Sequence, residues 1–364
     1  MLIYVCVSSH GYGHAARQAA VLIQLHRRHP DWHLVISSSV DALFLDLVLR
    51  DVPVSRRTVR WDVGMLQADA LAVDERSTLQ ALQQLETTLP ELLQREVEWI
   101  RSQDSQVVVL ADVPPAAAEL AHRLEAPLVW MGNFGWDEIY APLGTAFLPW
   151  AEQAAKAYRS GSLLLRCPFS LPMNWSLPEQ VLDLVSADPE PLPRELERRL
   201  LADGRTKVLV GFGGLGISLA PDLFRHWPEH LFLLPEPRES SQRNALAATV
   251  NVVLLPGDLR PLDVMPFCDR HLGKPGFSSF CEAMTWNLGL HVVERQGFAE
   301  ASVLMDGMRA HSSHSVLTRQ SLECGDWKLD QPLTPATGMP LPIGGASQAA
   351  EALGFVAINT VQQG

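Results

Sequence analysis

LIYVCVSSHGYGHAARQAAVL, Leu2 to Leu22, is the stretch that decides the fold. Six apolar or aromatic residues in a row, Leu2–Val7, read as a strand buried on both faces. A turn with two glycines and two histidines follows, and a helical pattern runs from His14 to His29 until Pro30 stops it. A strand, a glycine turn and a helix in that order are the opening half of a βαβ unit. Three readings of the turn stand open. Gly11-x-Gly13-x-x-Ala16 fits a loose dinucleotide fingerprint. His14, in the first helical turn, feels the positive end of the helix dipole, which disfavours its protonated form and suits a general base. The turn is otherwise a tight connection in which His10 and His14 cap or pack. The fingerprint expects an acid closing the second strand, but LVISSS offers serines there, with Asp41 only later.

Outward from this stretch the rhythm repeats. HLVISS, QVVVLAD (Gln106–Asp112) and PLVWMGN (Pro127–Asn133) read as strands, with VDALFLDLVLR and PAAAELAHRL as helices between them. STLQALQQLETTLPELLQREVEWIRSQ is a long amphipathic helical stretch, expected to break or kink at Pro90. Six prolines between 168 and 193 predict an interdomain linker. A second series then begins with KVLVGFGGLG (Lys207–Gly216), followed by the strands HLFLLP and NVVLLP. RHLGKPGFSSFCEAMTW reads as a turn leading into a helix, and LGLHVVER as a strand. The pattern predicts an α/β protein of two Rossmann-like domains with parallel sheets facing a cleft. The expected boundaries are 1–166 for the first domain, 167–196 for the linker, 197–345 for the second domain and 346–364 for a terminal helix.

Composition sets limits. A chain of 364 residues suits two cores of roughly 150–200 residues each, and 47% hydrophobic residues fill them. Twenty-nine basic against 41 acidic residues give a net charge of -12, which disfavours nucleic acid and anionic membrane. Five scattered cysteines without a CxxC pair argue against a disulfide framework or structural zinc, and for a reducing cytoplasm. The N-terminus lacks the basic start and length of a signal peptide, and no apolar run reaches about 18 residues, so no transmembrane segment is expected. Peripheral membrane contact and oligomeric state stay open. His311 and His314 read as surface residues, and Trp136 as a residue lining the cleft.

Two further loops carry chemistry. Gly211, Gly213, Gly214 and Gly216 follow a strand, and their amides could cradle a diphosphate or merely turn the chain. In GKPGFSSFCEA, Lys274 and Gly276 stand at the mouth of a helix bearing Ser278, Ser279 and Glu282. A lysine beside open amides complements phosphate, and a carboxylate one turn in can accept two ribose hydroxyls. A solvated glutamate and a capping serine are the plainer alternative. The chain contains no Asp-x-Asp pair, so helix N-termini, not a metal, are expected to offset diphosphate charge. No metal site and no cofactor are expected.

HGYGHAAR, GMLQADALAVDERST, REVEWI, VLADVPPAAAELAHRL, GNFGWDEIYA, FGG, LGKPGFSSFCEA and CGDW occur in the order found in the glycosyltransferase-like N-terminal domain of plant-type L-arabinokinases and stand-alone bacterial relatives. The resemblance covers residues 1 to about 330 and stops short of a kinase domain, so it implies no kinase activity. It implies the GT-B fold and, more distantly, similarity to the peptidoglycan N-acetylglucosaminyl transferase. By that similarity His14 stands where an acceptor base is proposed. The loops of Gly11, Gly13, Gly213, Gly214, Gly216, Lys274, Gly276 and Ser278 are expected to bind the nucleotide sugar, and the similarity implies that Glu282 holds the ribose and Glu300 the donor sugar. Two stretches depart from the family: FAEAS (Phe298–Ser302) lacks one acid of a usual pair, and LGL (Leu288–Leu290) replaces a Gly-Val-Pro. The expected activity is an inverting, metal-independent transfer from a nucleotide sugar, UDP-linked by resemblance, to an acceptor hydroxyl. A noncatalytic nucleotide-sugar sensor and a nucleotide-sugar epimerase are the alternatives, and an NAD oxidoreductase ranks last for want of the strand-two acid.

Overall fold

The computed structural model describes residues 1–66, 73–103, 105–213, 219–237, 239–295 and 298–363. The opening stretch forms β1 (Leu2–Val7), fully buried, and a helix over Gly13–Arg28. It is followed by β2 (His33–Ser37), β3 (Val54–Arg57), β4 (Val107–Asp112), β5 (Leu128–Gly132), β6 (Leu163–Arg166) and β7 (Glu179–Val181). These seven make one parallel sheet in the order β3-β2-β1-β4-β5-β6-β7. A second parallel sheet holds β8 (Thr206–Gly211), β9 (His230–Pro235), β10 (Val252–Leu255), β11 (Arg270–Gly273), β12 (Gly289–Val293) and β13 (His314–Leu317), in the order β10-β9-β8-β11-β12-β13.

Both orders share one property. The chain winds outward from the first strand, then returns to that strand's other side. The order therefore reverses between β1 and β4 in the first sheet and between β8 and β11 in the second. At such a reversal the following loops part in opposite directions and leave a crevice at the carboxyl ends of the strands. Val7 pairs with Asp112 and Gly211 with Gly273 at these two points.

Apolar side chains from both faces of each sheet form the core, including Ile3, Val5, Val7 and Leu110 on one side of the first sheet and Tyr4, Cys6 and Val109 on the other. The helix Gly345–Gln363 returns to pack on the Gly13–Arg28 helix. Gly354 permits the close crossing, since a Cβ there would lie 3.0 Å from His29 Nε2. No helix of the described residues is long and apolar enough to cross a membrane.

Four expectations change. The Glu75–Arg101 helix runs through Pro90 as one element. Pro90 is exposed, so the carbonyl it strips of a partner faces water instead of core. The stretch expected as linker contributes β7, which pairs with β6 at the edge of the first sheet. RHLG, expected as a turn, is β11 at the centre of the second sheet, and His314 is buried in β13 and not at the surface.

Candidate functional site

His14 stands in the first turn of the Gly13–Arg28 helix, with 7% of its surface exposed. Its Nδ1 lies 2.7 Å from Asp112 Oδ1, at the carboxyl end of β4. The two residues thus flank the β1/β4 reversal. Asp112 is fully buried and also accepts from Arg17 Nε at 2.6 Å, from Arg17 Nη2, and from Gln18 Nε2 at 2.8 Å. Burial alone would raise its carboxyl. The Arg17 guanidinium and His14 outweigh burial and hold it well below the usual carboxylate range. An ionised carboxylate only accepts, so the hydrogen-bond partner assigns the imidazole proton to Nδ1 and the lone pair to Nε2. Arg17 Nη2 also lies 3.0 Å from Nδ1, a contact that cannot be a second bond while Nδ1 donates to Asp112.

Arg17 continues the network. Its Nη1 donates to Asn133 Oδ1 at 2.8 Å, and Asn133 Nδ2 donates to Glu300 Oε1 at 2.7 Å. Glu300 begins the Glu300–His311 helix of the second sheet's half. A continuous polar chain therefore runs from His14 through Asp112, Arg17 and Asn133 to Glu300, and it crosses between the halves. Ser278 makes a second crossing, its Oγ donating to Gly13 O at 2.9 Å. A Cβ at Gly13 would lie 3.3 Å from Ser278 Oγ, a tight contact that glycine avoids. Arg50 Nη2 makes a third, 3.1 Å from Asp263 Oδ2.

His10 has a separate task. Its Nδ1 accepts the Met65 N–H at 3.2 Å, its ring stacks on Phe298 at 5.3 Å, and its edge meets Trp136. Burial, with His14, Arg295 and Lys274 nearby, pushes its pKa down to about 3, so it serves as a neutral acceptor. Trp136 is fully buried beneath it and does not line the cleft; its Nε1 donates to Asp62 at 2.8 Å.

On the other side, Gly213 has φ +76, and a Cβ there would lie 3.4 Å from Lys274 Cε. Lys274 follows β11 directly, and burial, then the charge of Arg295, lower its pKa to about 8 against the pull of Glu300. Gly276 precedes the Phe277–Thr285 helix, which carries no side-chain cap. Glu282 sits one turn beyond Ser278, half-buried, with no hydrogen bond to its carboxylate among the described residues. Burial raises its pKa to about 7, with Arg260 opposing and Asp263 reinforcing. Gly11, with φ +76, faces open space. Gly214 and Gly216 lie outside the described residues.

The structure thus brings His14, Gly13, Ser278, Gly213, Lys274 and Glu300 together where the two halves meet, while Glu282 stands one helical turn beyond Ser278 beside the charges of Arg260 and Asp263. Asp112, Arg17, Asn133 and Arg295 were not anticipated. The signal for Asp112 was there: a carboxylate ending an apolar strand one sheet position from β1.

No family model matches the chain. It is 29% identical over 334 residues to L-arabinokinase of Arabidopsis thaliana, an alignment covering 88% of this chain and 31% of that protein. The chain thus spans about a third of the length of that curated relative. Among solved structures, a Polygonum tinctorium UDP-glucosyltransferase capable of glucosylating indoxyl superposes with a TM-score of 0.66 at 12% identity, covering 98% of each chain. A UDP-glucose: anthocyanidin 3-O-glucosyltransferase solved with UDP gives 0.66 at 11%, over 98% of this chain and 99% of that one. UGT71G1 of Medicago truncatula, solved with UDP-glucose, gives 0.60 at 12%, over 99% and 94%. The chain has the GT-B fold of these solved structures and is similar over most of its length to part of a plant L-arabinokinase.

Proposed function

We propose that the protein transfers a sugar from a nucleoside-diphosphate donor, UDP-linked, to an acceptor hydroxyl, with inversion and without metal or cofactor. The observation that carries this reading is the His14–Asp112 pair at the β1/β4 reversal, joined by a polar chain to Glu300, whose charge acts on Lys274. His14 Nε2 takes the proton of the acceptor hydroxyl. The freed oxygen attacks the anomeric carbon from the face opposite the nucleotide, and the bond from that carbon to the phosphate oxygen breaks. Asp112 stabilises the imidazolium that forms. Because Arg17 already shares the Asp112 charge, the carboxylate chiefly fixes the tautomer and orientation of His14. Lys274 and the amides around Gly213 and Gly276 stabilise the departing diphosphate as electrostatics set in advance. Glu282, in its ionised form and without a protein hydrogen-bond partner among the described residues, accepts the ribose hydroxyls. The free cysteines fit a reducing cytoplasm, where we place the protein.

The test begins with a thermal-shift screen of nucleotide sugars, since a ligand of the native state raises the melting temperature by mass action. Transfer from the best donor is then followed with His14→Ala. A fall of about 10²–10⁴-fold at unchanged nucleotide affinity is expected; unchanged transfer removes His14 from the chemistry.

One observation favours a second reading, a noncatalytic nucleotide-sugar sensor. Glu300, the expected donor-sugar ligand, is already bonded to Asn133 in a stretch that departs from the family pattern. Tight binding of a nucleotide sugar without transfer or hydrolysis across many acceptors supports that reading over catalysis.

A further inference from the structure

Arg295 follows β12 by two residues, beside Lys274 after β11 and Gly213 after β8. These strands are neighbours, so all three residues stand at one carboxyl edge of the second sheet. The guanidinium of Arg295 lies 4.5 Å over the ring of Phe298. Phe298 in turn stacks on His10 and meets Phe134 edge-on at 5.9 Å, both from the first sheet's half. An aromatic pad shared by both halves thus fixes the plane of the guanidinium. On the guanidinium itself, Nε and Nη2 are both buried and find no hydrogen-bond partner among the described residues. Buried donors of a charged group without an acceptor are rare and call for an explanation. Nε and Nη2 form one edge of the fork, the edge that grips two oxygens of a phosphate or carboxylate side by side.

We propose that Arg295 is the second cation of the diphosphate pocket, its Nε–Nη2 edge taking two oxygens of the donor's β-phosphate while Lys274 meets the diphosphate from the neighbouring strand. The proposal rests on the nucleotide-sugar reading above and adds to it a ligand that neither the motifs nor the comparisons assign. Charge supports it. A diphosphate linking two sugars carries one negative charge on each phosphorus, and Lys274 with Arg295 supplies two positive ones. Glu300 acts electrostatically on both cations, so a carboxylate on the sugar would meet repulsion there, whereas the diphosphate lies on the cations' own side. The charge of Arg295 also helps to lower the pKa of Lys274.

Calorimetry with UDP and UMP on wild type, Arg295→Gln and Arg295→Lys tests this. UDP affinity is expected to fall roughly 10–100-fold in Arg295→Gln, the range for a lost charge-assisted pair, with UMP changed by less than about threefold and Arg295→Lys in between. The alkaline limit of UDP binding, set by Lys274 near pH 8, is expected to move upward in Arg295→Gln because a neighbouring charge is gone. Equal UDP affinity in wild type and Arg295→Gln overturns the proposal while leaving the nucleotide-sugar reading intact. So does an equal loss of UDP and UMP, which marks a role in shape. Retained UDP binding with loss confined to UDP-glucuronate assigns Arg295 to a sugar carboxylate instead. A wild-type protein that binds no nucleoside diphosphate sinks the underlying reading and this proposal with it. If Arg295→Gln does not fold, Arg295→Lys carries the same comparison with its charge kept and its fork lost.

Discussion

Replacing Asp112 by Asn removes the charge on which four buried donors of three side chains converge. The Arg17 and Asp112 side chains are 1% and 0% exposed, so Arg17 keeps a full charge with no water to replace its partner. An amide also turns one accepting oxygen into a donor, which faces the Arg17 and Gln18 donors that Asp112 now accepts. Breaking a buried pair from one side costs about 3–5 kcal/mol. That is a large part of the roughly 5–15 kcal/mol that holds a typical domain. The pH dependence has a definite sign. The folded-state pKa of Asp112 lies below its unfolded value near 3.8. The pair's stability is therefore complete above that value and is lost as pH falls through the folded-state pKa. The gap between wild type and Asp112→Asn should be constant at neutral pH and close progressively below about pH 5. Urea unfolding followed by tryptophan fluorescence measures it. The double variant Asp112→Leu with Arg17→Met, which removes both charges, should recover at least about half of the loss. A loss under about 1 kcal/mol for Asp112→Asn, or a double variant no better than the single, refutes the buried pair as the organiser of this site.

Glu282 has a pKa near 7, so its accepting, ionised form gives way below neutrality. UDP affinity should decline from about pH 8 to about pH 6 in wild type and stay flat in Glu282→Gln; parallel pH profiles by calorimetry exclude the ribose role. Asn133→Ala strands Glu300 and one arm of Arg17, and should cost about 1–3 kcal/mol in chemical denaturation; a neutral result means the cross-half bond is not formed in solution. Gly64 has φ +69 and a would-be Cβ only 2.6 Å from His10 Cβ, so Gly64→Ala should destabilise by about 1–3 kcal/mol and loosen the His10 seat. A melting temperature within error of wild type contradicts that packing.

Much of this architecture was legible because β1, β4 and β8 are each built on an apolar run followed by glycine turns or prolines. β11 was not. RHLG contains a single large aliphatic residue, and its strand conformation comes from pairing with β8 and β12 on either side, a tertiary effect that local pattern does not carry. The linker prolines hid β7 for a related reason: its side chains are exposed, so no apolar signal marks it, and an edge strand needs only one partner. Within the site, His14, Lys274 and Glu282 stood out as chemical groups on loops and helix starts. Asp112, Arg17 and Asn133 did not, since each is separated from its partner by about a hundred residues of chain and only the strand order joins them. Arg295 looked like an ordinary charged residue after a strand, and it gained meaning from donors that the fold buries without an acceptor.

The central claim is that the paired His14 is the base of an inverting transfer. Proton NMR of the sugar first released or transferred from the donor that most stabilises the native protein tests it most directly. Wild type should give product of inverted anomeric configuration. His14→Ala should bind that donor with the same affinity and form the product about 10²–10⁴-fold more slowly. Retained configuration, or His14→Ala turning over at the wild-type rate, contradicts the account.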